Sequence, residues 1–309
     1  MRNSAETSAD ELPKNLVAWV ARTMGPGSRI QVVRRLPMGS WHLNHALTVV
    51  DGDGRVHRLV LRRWARPGWD RDDPDYTAAR EMTILELLRP TPVPAPVLVG
   101  ADIDGDECEV PTLLLSRLPG HPPTAADMAA NRFCPDLAQA LAVVHDAGRA
   151  FSGQLAPYRL YYDRAEARPP RWLTNTPVWQ QAAEAVRAVP PAASQTMIHR
   201  DFHPENTLWS RGRLTGVVDW TQASWGPPGL DLGHMRWNLV LDGGQPIADR
   251  FLACYQTLTG TSLDDQPYWD LVSLFDLLLD IDQDHPGDID ADDQRHLTTY
   301  VKKVLSLYR

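Results

Sequence analysis

Apolar positions along the chain change their period near residue 116. Before it, short β-type runs dominate. Leu16, Val17 and Val20 recur at helical spacing and stop at Gly25, and Ser8 and Glu11 stand three apart as a capping box, so a first helix is predicted. Ile30 to Leu36, His45 to Val50 and Val56 to Arg63 follow as strands, and Asp51-Gly-Asp-Gly54 between the last two predicts a hairpin. Ala78, Met82, Leu85 and Leu88 then return to helical spacing, ended by Pro90. Thr91 to Gly100 reads as a rigid connector into a strand, Asp104-Gly105 as a second hairpin turn, and Thr112 to Gly120 as an apolar strand meeting a Pro-Gly break. The sum is a five-stranded antiparallel sheet with helices.

Beyond that break the pattern is helical. Leu137, Leu141 and Val144 form one stripe, and the segments near Val178 to Val189, Ala248 to Leu258, Tyr268 to Ile281 and His296 to Leu307 can each carry another. Strands first and helices afterwards predict an α+β chain of two lobes with a cleft between them.

Composition narrows the function classes. The 309 residues suffice for two lobes. Cys108, Cys134 and Cys254 are odd in number and far from any CxxC spacing, which argues against a disulfide framework or a zinc site and for a reducing cytoplasm. Neither a signal peptide nor a membrane span is expected, because no apolar run reaches the required length. The net charge of -8 is local: Thr261 to Gln294 holds eleven aspartates and no Lys, Arg or Glu, so the remainder carries about +3 (-8 plus 11). Nucleic-acid binding, which wants a concentrated basic face, is not expected. The aspartate run reads either as a solubilising surface or as a landing surface for a polycation.

The chemistry concentrates in Ile198-His-Arg-Asp-Phe-His-Pro-Glu-Asn-Thr-Leu-Trp209. Phosphoryl transfer asks for an aligned hydroxyl, magnesium on the phosphates and charge balance. Asp201 can accept the hydroxyl proton, and Asn206, five residues on, can offer a hard oxygen to the metal. Asp219, at the end of the apolar run Gly216-Val217-Val218, can supply a second one.

His199-Arg200-Asp201 with Asn206 reproduces the HRDxxxxN catalytic loop of protein kinases. With Gly216-Val-Val-Asp-Trp220 and Gly226-Pro-Pro-Gly-Leu-Asp-Leu232 following in order, the chain resembles the aminoglycoside phosphotransferase family, kinase-like enzymes that phosphorylate antibiotics and other small molecules. The resemblance implies a protein-kinase-like two-lobe fold: residues 1–115 as nucleotide-binding lobe, 116–120 as hinge and 121–309 as catalytic and acceptor-binding lobe. It implies Asp201 as catalytic base, Asn206 and Asp219 as Mg²⁺ ligands, and His199 and Asp231 as loop braces. His203, where the family commonly has His-Pro, is read as structural against a general-base or zinc reading. Ser116 and Leu118 of the hinge would meet the purine of ATP or GTP.

Three departures stand out. No lysine lies between Lys14 and Lys302, so Arg62, in Leu59-Val-Leu-Arg62, takes the place of the kinase lysine, with Glu81 as its helix partner and Glu86, facing elsewhere, as the alternative. Gly39 and Ser40 occupy the phosphate-loop position with one glycine instead of three. Glu205 stands where the family often has glycine. The expected acceptor is an antibiotic such as an aminoglycoside. Asp280, Asp282 and Asp284 would draw a cationic one, and Trp225, Trp237 and Trp269 are open between stacking surfaces and core. A choline-like metabolite remains an alternative acceptor, and a nucleotide-binding pseudoenzyme an alternative to catalysis. A protein kinase is disfavoured, because Asp219-Trp220 replaces DFG and no APE follows.

Overall fold

The computed structural model describes residues 12–36, 42–66, 76–170, 173, 177–284 and 290–308, the side chains of 277 and 279–284 excepted. Ser8, Glu11, Gly39 and Ser40 lie outside the described residues, as do the side chains of Asp280, Asp282 and Asp284. The chain divides into two compact units: Met1–Thr91 with Ala95–Pro119 and Asp219–Gln222, and Pro92–Pro94 with Gly120–Val218 and Ala223–Arg309.

In the first unit, helix α1 (Lys14–Met24) precedes β1 (Arg29–Arg35), β2 (Leu43–Val50) and β3 (Val56–Arg63); then come α2 (Ala78–Leu88), β4 (Leu98–Asp102) and β5 (Thr112–Ser116). The strands form one antiparallel sheet in the order β1-β2-β3-β5-β4. Its hairpins use the turns read from the sequence: the Asp51 carboxylate accepts from the Asp53 and Arg55 amides, and Gly54 and Gly105 take the positive φ those turns need. Strand alternation sorts the side chains. Leu47, Val49, Leu59, Leu61 and Leu114 pack with Leu16, Trp19 and Val20 of α1, so the paired rows Ala46–Val60–Leu115 and Asn44–Arg62–Leu113 belong to the other face. Helix α2 starts where the Thr77 side chain accepts from the Arg80 amide; its buried positions are Ala78, Glu81, Ile84, Leu85 and Leu88. A carboxylate in that apolar series needs a partner.

In the second unit, α3 (Phe133–Gly148) and α4 (Pro177–Arg187) lead to β6 (Thr196–Ile198), β7 (Thr207–Ser210), β8 (Arg213–Val217) and β9 (Ser224–Gly226). β7 pairs with β8, and β6 with β9. Four helices complete the unit: α5 (Gly229–Gly243), α6 (Gln245–Thr259), α7 (Gln266–Asp284) and α8 (Ala291–Leu307). The stripe Leu137, Leu141 and Val144 is buried as its spacing predicts. Helix α5 was not visible in the periodicity, because Leu230, Leu232, Met235, Trp237, Leu239 and Val240 are buried round most of its circumference instead of along one stripe. Its Gly229 and Gly233 admit α7: a Cβ on Gly229 would stand 2.5 Å from the Trp269 ring. Trp237 and Trp269 are accordingly buried, and Trp225 is half-buried. Among the described residues no helix is long and apolar enough to cross a membrane.

Candidate active site

The first unit holds a buried cluster around one cation. Arg62 ends the outer face of β3, and α2 carries Glu81 towards it, with the guanidinium Nε 3.0 Å from Glu81 Oε2. Nη2 donates to Asp219 Oδ1 at 2.5 Å, to Thr221 Oγ1 at 3.3 Å and to His42 Nδ1 at 2.8 Å. Burial, and then the charge of Arg62, hold His42 well below its ordinary pKa, so its ring is neutral and can accept that bond. Burial likewise raises the Glu81 carboxyl; Arg62 pulls it down, Asp219 pushes it up, and the net is a rise to about 7. The Trp220 amide and the Thr221 hydroxyl hydrogen-bond the Glu81 carboxylate. These contacts explain why residues 219–222 count with the sheet unit. Glu86, by contrast, is exposed and pairs at 3.8 Å with Arg89 on the helix surface.

Three of the acceptors meet one guanidinium nitrogen, Nη2, and Glu81 lies beside Nε of the same head group, so one cation is shared among all of them. Asp219 sits at φ +65°, a left-handed conformation that costs a non-glycine residue on the order of 1 kcal/mol and persists only where its surroundings impose it. Here the imposing contacts are Arg62 and Thr221.

In the second unit, a loop after β6 holds His199, Arg200, Asp201 and Asn206. Asp231, in the first turn of α5 and fully buried, accepts from the backbone amides of His199 at 2.8 Å and Arg200 at 2.7 Å and from His145 Nε2 at 3.0 Å. His199 Nε2 donates to the Val218 carbonyl at 3.0 Å. Phe202 is wholly buried, and Pro204–Asn206 forms one 3-10 turn. That turn brings Asn206 Nδ2 to the Asp201 backbone carbonyl at 2.9 Å and to Asp201 Oδ2 at 2.8 Å. The amide nitrogen is thus committed to Asp201, which leaves the Asn206 side-chain oxygen as the group's acceptor.

Asp201 Oδ1 lies 3.4 Å from His234 Nε2 and 3.7 Å from His203 Nε2. Burial would raise this carboxyl, yet His203 and His234 more than offset it and hold the group well below the usual carboxylate range. The side chain keeps 29% of its surface exposed, so an ionised, accessible oxygen is retained.

His234 and the anchors of Arg200 were missed in the sequence. Arg200 has φ +69°; its guanidinium donates to the Arg159 carbonyl at 2.8 Å, lies 4.1 Å over the Tyr161 ring and stands 3.8 Å from Asp276 of α7. No short-range pattern marks Asp276 or Tyr161. His234 did leave a signal: three residues after Asp231 on a helix, it projects from the same side.

The remaining sequence-derived positions are placed as follows. Ser116 ends β5, donating its amide to the Val97 carbonyl and accepting from the Val97 amide, each at 2.8 Å. Leu118 follows Arg117, whose amide donates to the Arg58 carbonyl at 2.9 Å. Glu205 is exposed, and partial burial with the charges of Glu205 and Asp293 raises the Asp242 carboxyl against the pull of His203. The acidic group beside the loop is thus Glu205, Asp242 and Asp293. Among the described residues no three His, Cys, Asp or Glu side chains are grouped to hold a metal.

A sequence profile described as the phosphotransferase enzyme family matches residues 37–275, more than half of the chain. The chain belongs to that family. Viomycin phosphotransferase of Streptomyces vinaceus is 26% identical over 223 residues, 64% of this phosphotransferase and 71% of the relative. Homoserine kinase of Beijerinckia indica is 32% identical over 123 residues, 34% of this chain and 38% of that one. The fold is kinase-like. A thermostable mutant of aminoglycoside phosphotransferase APH(4)-Ia, in ternary complex with AMP-PNP and hygromycin B, superposes with a TM-score of 0.64 at 14% identity, covering 96% of this phosphotransferase and 99% of that chain.

Proposed function

We propose that this phosphotransferase moves the γ-phosphoryl group of ATP or GTP to a hydroxyl of a cationic small-molecule antibiotic. The observation that carries the reading is Asp201: a carboxylate held ionised by His203 and His234, with one oxygen fixed by Asn206 and part of its surface open. Such a group is unprotonated at neutral pH and can accept and orient a hydroxyl's O–H, its basicity mattering less than its position in a loose phosphoryl transfer. Residues 1–115 serve as the nucleotide lobe, with Ser116 and Leu118 of the 116–120 hinge at the base. Residues 121–309 bind the acceptor.

The donor set fits magnesium. The Asn206 amide oxygen and the second carboxylate oxygen of Asp219, the one Arg62 does not hold, are hard ligands of the kind that ion takes, with nucleotide and water supplying the rest. When bound, Mg²⁺ neutralises charge on the transferring phosphates. The chain's own residues do the remainder. Asp201 accepts the acceptor's O–H, orienting its oxygen for in-line attack on the γ-phosphorus. The bond from that phosphorus to the β,γ-bridging oxygen breaks, the nucleoside diphosphate leaves with the electron pair, and the hydroxyl proton passes to Asp201 and on to solvent. His199 and Asp231 keep the loop in register, and Arg62, set by Glu81, grips the donor's phosphates.

The acidic group Glu205, Asp242 and Asp293 supports a cationic acceptor, because several carboxylates focus one polycation. Likeness to viomycin phosphotransferase supports an antibiotic. The test is mass spectrometry of a panel of aminoglycosides, basic peptide antibiotics, macrolides, homoserine and choline, each incubated with the protein, Mg²⁺ and ATP or GTP. One cationic antibiotic should gain a phosphate, and Asp201→Asn should abolish the gain while nucleotide still binds. Phosphate on homoserine or choline alone would refute the antibiotic assignment, and normal turnover by the variant would remove the base.

A further inference from the structure

The outer face of the sheet has an order that the phosphate-binding reading of Arg62 leaves unused. Pairing across the strands aligns three rows: Asn44–Arg62–Leu113; then Arg34–Ala46–Val60–Leu115; then Val32–Thr48–Arg58, with Arg117 joined to Arg58 through its backbone amide. The middle row is mainly apolar, with Ala46 and Leu115 buried and Val60 half-buried, a lining that suits the face of an aromatic base. Arg62 flanks it on one side with its acidic partners. On the other side, four residues back along β3, stand Arg58 and Arg117, and Arg34 closes the end of the row. Four strand residues span about 13 Å, so these cations are remote from the phosphate grip.

No carboxylate pairs with Arg34, Arg58 or Arg117 among the described residues, and Arg34 and Arg58 are exposed. Partial burial, and after it the charges of Arg34 and Arg58, lower the affinity of Arg117 for its proton, so the three guanidiniums act on one another at close quarters. Like charges gathered without counter-ions beside an apolar strip favour a ligand that brings hydrogen-bond acceptors.

We propose that Arg34, Arg58 and Arg117 read the base of the phosphoryl donor and select guanine over adenine. This rests on the nucleotide-dependent reading above and names its donor. The two purines differ at one edge: guanine shows two acceptors, O6 and N7, whereas adenine sets an amino donor beside N7. A guanidinium fork satisfies the first pair bidentately and opposes the amino group of the second.

The test is calorimetric titration of the whole protein with Mg²⁺ and GDP, IDP or ADP, with no acceptor present. IDP keeps O6 and N7 but lacks the exocyclic amine. GDP and IDP should bind about tenfold more tightly than ADP, the discrimination of one bidentate contact. Arg117→Gln, Arg58→Gln and Arg34→Gln, each with an unchanged melting temperature, should together bring the three affinities within about threefold, chiefly by weakening GDP and IDP. Equal or tighter ADP binding by the native protein would overturn the base assignment while leaving the phosphotransferase reading intact. So would an equal loss for all three nucleotides in the variants, which would reduce the arginines to general phosphate attraction. Binding of none of them would sink both readings.

Discussion

The two charged clusters stabilise their carboxylates by opposite means. Around Arg62, acids share one cation in an apolar setting, and burial wins at Glu81, raising its carboxyl to about 7. In the loop of the second unit, Asp231 is as deeply buried yet meets two backbone amides and an imidazole, and Asp201 is held ionised by His203 and His234. Charge sharing makes a cluster that responds when another charge arrives; fixed dipoles make one that does not move.

The largest effect should come from removing the fixed dipoles' acceptor. Asp231→Ala leaves the amides of His199 and Arg200 and the His145 ring without their partner in a dry interior, at a cost on the order of 4 kcal/mol. The melting temperature should fall by roughly 10 °C and transfer should be lost even well below the transition. A variant that melts normally but transfers slowly would show that Asp231 acts on geometry alone.

The motif from His199 to Asn206 was legible as a motif because its residues lie close together in sequence. Arg62 and Glu81 were legible through two periodicities, strand alternation and helical rotation, which also separated Glu81 from Glu86. What escaped has a common cause. Arg200 finds Asp276 76 residues away and Arg62 finds Thr221 159 away, and such meetings depend on packing between elements and leave no local pattern, whereas His234 left only its three-residue spacing from Asp231. Helix α5 escaped because near-total burial erases a stripe. The hydroxyl of Thr221, bonding with Arg62 and Glu81, carries no motif at all.

The shared-charge cluster is the one to sharpen next. Arg62→Ala strands Glu81 and Asp219 without their common cation, and should raise KM for the nucleotide about tenfold to a hundredfold while leaving KM for the acceptor nearly unchanged. Arg62→Lys keeps the charge but loses the fork, so it should recover only part of that deficit. Full recovery by lysine would mean that net charge, not donor geometry, holds the cluster together.

The smallest effect tests the loop's outer brace, Asp276. Asp276 contacts Arg200, the Tyr161 amide and the Tyr158 hydroxyl, yet burial outweighs them and raises its carboxyl above the ordinary value near 4. A group that binds its proton more tightly when folded adds stability below its unfolded pKa and loses it as pH rises through its folded pKa. The native protein should therefore lose melting temperature relative to Asp276→Asn as pH rises from about 4 towards neutrality. A difference that stays flat across that range, in melts of the two proteins side by side, would show that burial does not dominate at Asp276 as it does at Glu81.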